Sequence, residues 1–426
     1  GGIHPTERKE LSEHLPLVRF PEPRTVVIPM CMHAGAPAEP IVKVGEQVKL
    51  GQKIGEAKGF VSSPVHSSVS GTVKAIEPHL HPITGAMVMS VVIESDGRNT
   101  LHESVKPAGD LESLTPEEII SIVREAGIVG MGGAGFPTSV KLKPPKPVDT
   151  VLLNGCECEP LLTADHRVML EFADDVIFGL KAMLKATGAG KGIIAVEDNK
   201  PDAVELLREK TAGIDNIEVV AVKTKYPQGA EKMLIKRVLG RSVPSGGLPA
   251  DVGAVVSNVS TAKAVSDAIQ KGMPLVERVV TVTGERIKNP GNYIVKVGTL
   301  VKELIDYCGG ITGEDTTVKM GGPQMGFELN DLNVPVLKAT NGVIAVETVE
   351  FEPNNCIKCG RCVDVCPMEL KPLYFTKYAG TQNWQGFKEQ KVMDCIECGC
   401  CQTICSSKIP IVMMIKIGKQ AIREGK

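Results

Sequence analysis

Two cysteine runs near the end of the chain constrain its fold more than any other feature. They span Cys356–Pro367 and Cys395–Cys405, both read C-x2-C-x2-C-x3-C, and their first cysteines are 39 residues apart. This spacing places three thiolates on one 4Fe–4S cluster and sends the fourth to a second cluster. The crossed pattern predicts a first cluster on Cys356, Cys359, Cys362 and Cys405, and a second on Cys395, Cys398, Cys401 and Cys366.

The alternative for these cysteines is structural zinc. Zinc sites use four ligands and do not need an eight-cysteine crossed arrangement, so the spacing favours iron–sulfur clusters. Five further cysteines lie outside the predicted ligands: Cys31, Cys156, Cys158, Cys308 and Cys400. In a chain of this size without a signal-peptide pattern, thiolate ligands indicate a reducing compartment. We therefore expect a carrier of single electrons.

The bulk composition limits the class of protein. A length of 426 residues predicts about three domains. The formal net charge is −2 and aromatic residues make up 4% of the chain, so neither a basic field nor stacking platforms indicate a nucleic-acid partner. The apolar stretches fall short of the ~18 residues that a membrane span needs. We expect a soluble or peripheral protein with no transmembrane segment.

Residues 1–105 have the sequence pattern of a β-rich domain. Short apolar runs alternate with Gly and Pro, and they predict strands at Thr25–Pro29, Val42–Val48, Ile54–Ala57, Gly71–Ile76 and Met87–Glu94. The pattern resembles the biotinyl and lipoyl domains, which implies a barrel-sandwich hybrid fold. Lys58 lies two residues from the position of their modified lysine, so a docking or structural module is favoured over a swinging arm.

Residues 106–272 alternate between helical and strand patterns. A helix begins after Thr115, where Pro116 and two acids follow a capping hydroxyl, and it ends near Ala126. Strands are predicted at Thr150–Leu153, Gly192–Glu197 and Ile217–Val222. Helices are predicted at Asp165–Leu184, Asp202–Lys210, Ala230–Leu239 and Val259–Lys271. This alternation predicts an α/β domain with a parallel sheet.

The rest of the chain divides into two smaller parts. Residues 273–348 are again rich in strand patterns, with one helix at Thr299–Cys308, and they resemble a β-grasp module of the soluble-ligand-binding (SLBB) type. Residues 349–426 hold the cysteine runs and a helix after Pro410, which indicates an α-helical domain with two 4Fe–4S clusters. The predicted fold is therefore multidomain α/β plus β.

A glycine loop, Gly127–Thr138, is the second strong signal. Five glycines within nine residues let the backbone approach a ligand and direct N–H groups at a phosphate. No Gly-Lys-Ser/Thr follows, which excludes a P-loop. Polar fragments at Asn154–Pro160 and Tyr226–Glu231 follow predicted strands, where ligands of open α/β sheets bind, and Ser257–Asn258 opens a predicted helix. Taken alone, each fragment favours an ordinary structural role: a turn at Asn154, a solvated loop at Glu157 and Glu159, and a helix cap at Ser257–Asn258.

Together, the glycine loop and the three polar fragments resemble the flavin and NADH site of the flavin subunit of respiratory complex I. The opening Gly1–Pro5 and the paired cysteine runs resemble the RnfC family of the Rnf ion-translocating electron-transport complexes, over essentially the whole chain. The resemblance implies that FMN binds at Gly130, Gly132, Gly133, Gly135, Asn154, Glu157, Tyr226, Gly229, Ser257 and Asn258. It implies that NADH binds at Phe136, Lys141, Glu159 and Glu231.

Three positions differ from the complex I pattern. Met131 stands where that pattern has an arginine, Ala230 where it has an acid, and Ser257 where it has an asparagine. Because of these differences, a second interpretation stays open: a non-enzymatic electron-transfer subunit whose flavin site is vestigial.

The resemblance also implies a function and its setting. The chain would be a peripheral NADH/NAD+ dehydrogenase subunit at the cytoplasmic face of the cell membrane. FMN and two 4Fe–4S clusters would be its cofactors and NAD(H) its substrate. Its partners would be other Rnf-type membrane and iron–sulfur subunits. It would exchange electrons with ferredoxin indirectly, through the complex, and ion translocation would occur in the complex. A soluble corrinoid (cobalamin) reductase is the enzymatic alternative. No acid–base catalytic residue is assigned, because the chemistry resides in the cofactors.

Overall fold

The computed structural model describes residues 1–349 and 352–426. The fourth predicted domain, residues 349–426, therefore includes two positions, 350 and 351, that lie outside the described residues. Its other residues, and the three domains before it, are described below. The limits assigned to the four domains remain predictions.

The N-terminal part is built from short strands around a small apolar core. The strands are β1 (Leu17–Arg19), β2 (Thr25–Pro29), β3 (Glu39–Pro40), β4 (Gln47–Val48), β5 (Lys53–Glu56), β6 (Val65–His66), β7 (Gly71–Leu80) and β8 (Met87–Ser95). One sheet has the order β2-β8-β7-β4 and a smaller one has the order β3-β5-β6. Val26, Ile54, Val73 and Ile93 are fully buried between them. Two small facing sheets with a shared core are what a barrel-sandwich fold requires.

The strand predicted at Val42–Val48 is wrong over most of its length. Only Gln47–Val48 is extended in a sheet. Gly45 has φ +86°, and the Glu46 N–H donates to the Lys43 carbonyl at 3.1 Å, so these residues form a turn. The apolar valines made the segment look like one strand, but the glycine at positive φ breaks it.

A parallel sheet lies at the centre of the α/β part. Its strands are β9 (Thr150–Gly155), β10 (Lys191–Glu197), β11 (Ile217–Val222) and β12 (Ala254–Asn258). The helices are α1 (Pro116–Glu125), α2 (Thr138–Lys141), α3 (Ala164–Glu171), α4 (Ala173–Thr187), α5 (Pro201–Thr211), α6 (Glu231–Leu239) and α7 (Val259–Gln270). Separate apolar cores lie on the two faces of the sheet. This confirms the predicted α/β layer and its parallel strands.

Local signals explain how the helices of this part begin. The Thr115 hydroxyl accepts from the Glu118 N–H, which confirms the predicted capping hydroxyl, and the Glu118 carboxylate accepts from the Thr115 N–H, which completes a capping box. The single helix predicted at Asp165–Leu184 is instead two helices. Phe172, with φ −128°, separates α3 from α4. Asp174 and Asp175 in the first turn of α4 favour a new helix start there.

The β-grasp part contains one larger mixed sheet. It comprises β13 (Glu277–Thr283), β14 (Gly291–Lys296), β15 (Thr316–Met320), β16 (Phe327–Glu328), β17 (Gly342–Glu347) and the helix α8 (Val301–Tyr307). The strand order is β1-β14-β13-β17-β15-β16. The N-terminal strand β1 thus pairs in parallel with β14 and covers that edge of the sheet.

The C-terminal part is helical and internally repeated. Its helices are α9 (Arg361–Asp364), α10 (Pro372–Thr381), α11 (Trp384–Glu389), α12 (Cys400–Thr403) and α13 (Ile411–Arg423). The starts of α9 and α12, and those of α10 and α13, are each 39 residues apart, as the cysteine runs are. Positive φ values recur at the same spacing, at Lys358 and Glu397 and at Gly360 and Gly399. The two cysteine runs therefore share one backbone conformation.

Short 3-10 turns complete the described elements. They lie at Lys9–Leu11, Leu111–Ser113, Pro249–Val252 and Val392–Asp394. Among the described residues, no helix is long and apolar enough to cross a lipid bilayer.

Candidate functional site

The carboxyl ends of β9 and β12 create the crevice in which the candidate site lies. The strand order β11-β10-β9-β12 means that the chain proceeds from β9 to one side of the sheet and later returns to its other side. Asn154 and Asn258 are register partners at the ends of these two neighbouring strands. Ligands of open α/β sheets bind at such switch points. The sheet thus brings two of the predicted flavin contacts together.

The glycine loop lies against this crevice. Its two arms meet where the Gly130 N–H donates to the Phe136 carbonyl at 2.8 Å. A Cβ added at Gly132 would lie 3.0 Å from the Asn258 side-chain nitrogen, whereas a Cβ at Gly133 would meet no atom within 4 Å. Gly135 has φ +65°, which favours glycine. The loop therefore combines a close approach to Asn258 with open space beside Gly133.

Met131 directs its side chain away from this space. It is 3% exposed in the core of the α/β part, and its N–H donates to the Thr261 hydroxyl at 3.0 Å. Its carbonyl accepts from the Arg278 guanidinium at 3.4 Å. The position that carries an arginine in the complex I pattern thus serves here to anchor the loop to the core.

Asn154 links the sheet to the segment that begins with Tyr226. Its amide nitrogen donates to the Gly229 carbonyl at 2.8 Å, and its amide oxygen accepts from the Cys156 N–H at 3.0 Å. The Gly229 N–H points at the Cys158 sulfur at 3.4 Å. Two predicted flavin contacts, Asn154 and Gly229, are therefore direct neighbours.

Asn258 caps the helix that follows it. Its side-chain oxygen accepts from the N–H groups of Ser260 and Thr261, at 2.8 and 3.4 Å. Its side-chain nitrogen donates to Asp165 at 2.7 Å, and the Ser260 hydroxyl donates to the other oxygen of the same carboxylate at 2.5 Å. The N-terminus of a twelve-residue helix favours negative charge, which the Asp165 carboxylate supplies here. Asp165 was missed because an acid at the start of a predicted helix looks like an ordinary capping residue.

Glu157 faces another helix terminus. Its carboxylate accepts from the backbone N–H groups of Asp165 and His166, at 2.7 and 3.1 Å, so it caps α3. Burial raises the pKa of this carboxyl group. Its φ of +48° turns the chain sharply at the end of β9. Glu157 is a predicted flavin contact, but in the structure its carboxylate already accepts hydrogen bonds from these two protein N–H groups.

Glu159 lies at the junction with the β-grasp part. Its carboxylate accepts from the N–H groups of Gln324 and Met325, at 3.0 and 2.9 Å, and from the Tyr226 hydroxyl at 3.3 Å. Burial raises its pKa as well. This predicted NADH contact is therefore engaged by a loop that is more than 160 residues away in sequence.

Two of the other predicted NADH contacts, Lys141 and Glu231, meet at the start of α6. The Lys141 ammonium group donates to the Glu231 carboxylate at 2.7 Å and to the Val256 carbonyl at 3.1 Å. Both side chains remain about one-third exposed. Phe136 is partly buried in the second arm of the glycine loop, and Ser257 is partly buried in β12. Lys141 and Glu231 thus form an accessible polar pair beside the β12 strand.

Lys9 is a further buried group that the sequence did not single out. Its ammonium group donates to the carbonyls of Glu157, Glu159 and Leu162, at 2.9, 2.9 and 2.5 Å. A single cation thereby fixes the loop that carries both predicted glutamates. No local pattern marks it, because its partners lie about 150 residues along the chain.

Tyr226 connects the crevice to the cysteine-rich part. Its side chain is 1% exposed, and its hydroxyl donates to the Cys398 carbonyl at 2.7 Å. Its backbone pairs with Ile3, and its carbonyl lies 3.8 Å from the Cys400 sulfur. Cys400 is fully buried in this contact. The segment Tyr226–Gly229 therefore reaches from Asn154 to the second cysteine run.

The four cysteines predicted for the second cluster surround one cavity. Cys366, Cys395, Cys398 and Cys401 all line it, together with apolar neighbours such as Ile396 and Ile415. Burial raises the pKa of Cys395 to about 11. Cys400 also lines this cavity. The four predicted thiols around one largely apolar space fit a 4Fe–4S cluster, whose iron charges stabilise the thiolate forms.

The first cluster site is more open. The Asn354 N–H donates to the Ser407 carbonyl at 2.9 Å, and the Ser407 hydroxyl donates to the Asn355 carbonyl at 3.0 Å. These bonds bring the end of the second run, at Cys405, beside the start of the first, at Cys356. Cys356 and Cys359 are exposed.

Within residues 1–349 and 352–426, no three His, Cys, Asp or Glu side chains converge as a single metal ion would require. A cluster instead bonds each cysteine to a different iron, so its ligands surround a space. The cavity lined by Cys366, Cys395, Cys398 and Cys401 has this arrangement.

Family profiles match four successive parts of the chain. They are the RnfC barrel-sandwich hybrid domain over residues 1–98, the Nuo51 FMN-binding domain over 123–267, the SLBB domain over 279–328 and a 4Fe–4S dicluster domain over 348–406. These matches confirm the four predicted fold types. They also confirm FMN and two 4Fe–4S clusters as the cofactors for which these domains are built.

Three relatives, each one component of an oxidoreductase complex, match nearly the whole chain. The relative from the Na+-translocating ferredoxin:NAD+ oxidoreductase complex of Acetobacterium woodii is 49% identical, over 99% of this chain and 96% of its own length. The relative from the proton-translocating ferredoxin:NAD+ oxidoreductase complex of Clostridium ljungdahlii is 44% identical, over 92% and 86%. The relative from the ion-translocating oxidoreductase complex of Rhodobacter capsulatus is 40% identical, over 100% and 83%.

Proposed function

Because the chain belongs to the RnfC family of ion-translocating ferredoxin:NAD+ oxidoreductase (Rnf) complexes, we propose that it is their NAD(H)-oxidising or NAD+-reducing subunit. It is an oxidoreductase subunit with an FMN-binding domain and a 4Fe–4S dicluster domain. Electrons pass between NAD(H) and the clusters by way of FMN. In the complex this transfer is coupled to the translocation of Na+ or H+.

One observation carries this function. The segment Tyr226–Gly229 is hydrogen-bonded at one end to Asn154, in the crevice of the parallel sheet, and at the other to Cys398, at the cysteine cavity. A nucleotide crevice and a cluster cavity are thus joined by four consecutive residues. Bound FMN supplies the ability to take two electrons from a hydride and give them up singly, which a 4Fe–4S cluster alone cannot do.

The chain's own residues hold and shield the flavin in this proposal. Gly130, Gly132, Gly133 and Gly135 supply backbone that a ligand can approach closely. Asn258 is proposed to act through the loop and helix start that it fixes, since its side-chain atoms already bond Ser260, Thr261 and Asp165. Asn154, Glu157, Tyr226, Gly229 and Ser257 are the other proposed contacts. Asn154 is supported by its place at the switch point. Glu157 and Tyr226 act through the loops they fix, since their polar atoms already have protein partners.

NADH is proposed to bind beside the flavin at Phe136, Lys141, Glu159 and Glu231. The support is strongest for Lys141 and Glu231, whose ion pair is partly exposed at the β12 end of the crevice. Contact with Glu159 requires its carboxylate to exchange the Gln324 and Met325 N–H groups for the nicotinamide nucleotide.

The iron–sulfur ligands are proposed as the crossed sets. The cavity lined by Cys366, Cys395, Cys398 and Cys401 supports the second set. Its contact with Tyr226 makes this the flavin-side cluster. The set of Cys356, Cys359, Cys362 and Cys405 is then the outer cluster.

The setting of the chain follows from its family. We place it in a multi-subunit Rnf complex, peripheral at the cytoplasmic face of the membrane. Its partners there are the membrane and iron–sulfur subunits, and ferredoxin is served through them. The chain's own described residues contribute no membrane-spanning helix to this assembly.

The flavin site can be tested by blocking the open space beside the glycine loop. Gly133→Leu places a side chain where a Cβ meets no protein atom, so the fold should tolerate it while FMN is displaced. Gly190→Leu is the matched control, because Gly190 is exposed, has open space around its Cβ and directly precedes β10, away from the carboxyl ends of the strands.

We expect Gly133→Leu to weaken FMN binding at least about tenfold, or ~1.4 kcal/mol. Flavin fluorescence measures this, and the iron content should stay unchanged. Gly190→Leu should bind FMN like the unmodified protein. Equal FMN affinity in both variants would place the flavin elsewhere.

A further inference from the structure

The two cluster sites differ in their access to solvent. Cys398 and Cys401 are buried, and the buried Tyr226 side chain donates to the Cys398 carbonyl. Cys356 and Cys359, by contrast, are exposed on the surface of the chain. Given the proposed function, electrons that enter at the inner cluster can leave to another protein only where a cluster reaches the surface.

The exposed segment has an unusual combination of side chains. Ile357, between the two exposed cysteines, is 67% exposed. Lys358 follows it with φ +56°, and Arg361 begins α9, and both are exposed. The exposed Ile357 side chain thus has two cationic neighbours, Lys358 and Arg361, beside the exposed cysteines. Such a small apolar centre with a charged rim is typical of transient electron-transfer contacts.

The charge of the surrounding domain has the same sign. Residues 352–426 contain eleven Lys and Arg and seven Asp and Glu, a net charge of +4. The whole chain has −2, so residues 1–351 carry −6. A basic domain on an acidic chain attracts negatively charged proteins and orients them toward this end.

We propose that the segment Cys356–Arg361 is the docking surface for an acidic protein that carries a one-electron cofactor near its own surface. In each encounter one electron crosses between the outer cluster and the partner. The cofactor that gives up this electron is oxidised, and the cofactor that receives it is reduced. The two electrons of one NADH, which becomes NAD+ and H+, therefore serve two encounters. Lys358 and Arg361 provide attraction, and Ile357 provides the apolar contact.

A charge reversal at the two cations provides the test. The variant Lys358→Glu/Arg361→Glu is compatible with the local backbone, because Glu397 has the same φ of +56° at the equivalent position of the second run. The matched control Lys377→Glu/Lys388→Glu makes the same change in net charge on two exposed helical positions of the same domain. The probe is an acidic [2Fe–2S] ferredoxin, with binding measured by calorimetry at 20 and 200 mM salt.

The proposal predicts three results. The unmodified holoprotein binds the probe, and its affinity falls as salt rises. The Lys358/Arg361 variant binds it at least about tenfold more weakly and loses most of the salt dependence. The Lys377/Lys388 control binds within about twofold of the unmodified protein. With the cationic acceptor hexaammineruthenium(III), the Lys358/Arg361 variant should transfer electrons faster than the unmodified protein, which damage to the cluster could not produce.

Other results would overturn the proposal. Binding that does not depend on salt in the unmodified protein removes its electrostatic basis without any variant. Equal weakening in both variants shows a diffuse charge effect and no docking surface. If the Lys358/Arg361 variant instead loses only its binding to vesicles of phosphatidylcholine and phosphatidylglycerol, the patch faces lipid. Binding needs no NADH, so a failure of NADH to reduce the flavin would refute the proposed function separately.

Discussion

Lys338 shows how a single residue holds three parts of the chain together. It lies near the end of the β-grasp part, is 1% exposed, and donates to the carbonyls of Pro64 and Gly127 at 2.8 and 2.7 Å. Those carbonyls belong to the barrel-sandwich part and to the first residue of the glycine loop. Burial lowers the pKa of this lysine to about 7.

This lowered pKa makes stability depend on pH in a defined window. Between about pH 7 and 10.5 an unfolded chain keeps a proton on Lys338 that the folded chain has released. The unfolded state thus binds more protons, and the free energy of unfolding rises with pH across this window. Lys338→Met should remove that part of the slope.

The comparison is between melting temperatures of the flavin-free, metal-free protein at pH 7, 8 and 9. The unmodified protein should gain more stability with rising pH than Lys338→Met does. Identical slopes for the two proteins would show that Lys338 titrates in the folded state as it does in water. All other titrating groups are common to both, so they cancel in the difference.

Tyr226 joins two functional regions through one hydroxyl group. Tyr226→Phe leaves the buried Cys398 carbonyl without the hydroxyl donor and removes one donor from Glu159. A lost bond to a buried group costs about 1–3 kcal/mol, so we expect a lower melting temperature. FMN and iron content should be retained.

The same variant should slow reduction of the inner cluster after mixing with NADH, measured by stopped-flow absorbance. Tyr307→Phe, on the exposed face of α8, serves as the control. If Tyr226→Phe matches this control in both stability and rate, Tyr226 has no part in the connection to the cluster.

Among the elements, the two repeated cysteine runs carry the proposed ligand sets. Cys366 belongs to the first run in sequence but to the cavity of the second run in space. We therefore expect Cys366→Ser and Cys395→Ser to lose the same electron paramagnetic resonance signal. Cys405→Ser and Cys356→Ser should lose the other.

Iron analysis should show about four irons in each of these variants, compared with about eight in the unmodified protein, because each cluster contains four. If Cys366→Ser and Cys356→Ser share a lost signal, the runs are not crossed and each binds its own cluster.

Secondary structure was predictable where local sequence decides it. The strands β9, β10 and β11 follow from short apolar runs, and the start of α1 follows from the capping hydroxyl of Thr115. Two predicted elements were wrong in extent because a single residue changes the direction of the backbone. Gly45 interrupts the expected strand, and Phe172 divides the expected helix.

The candidate site was predictable in its location but not in its contacts. Asn154 and Asn258 meet because β9 and β12 are neighbouring parallel strands that end at the same edge. The sequence predicts the helix after Asn258 but not the strand β12 before it, so this meeting is known only from the structure. Glu159, in turn, is bonded to Gln324 and Met325 of another domain. Such partners arise from packing between distant segments, and no local pattern encodes them.

At the scale of the whole molecule, the parts interlock. Strand β1 of the N-terminal part completes the edge of the β-grasp sheet, and Lys9 fixes the loop that carries Glu157 and Glu159. The N-terminal residue Ile3 pairs with Tyr226 at the cysteine-rich part. The barrel-sandwich part is therefore a structural support of the proposed site as well as a domain in its own right.

In the proposed function, one chain passes electrons from a nicotinamide through FMN to its own two clusters. The most direct measurement is an anaerobic titration with NADH of protein reconstituted with FMN, iron and sulfide. Flavin absorbance and the paramagnetic signals of the clusters are followed together. We expect NADH to bleach the flavin and the signals of reduced clusters to appear in the same samples. A flavin that NADH leaves unchanged, in protein whose clusters dithionite still reduces, would contradict the account.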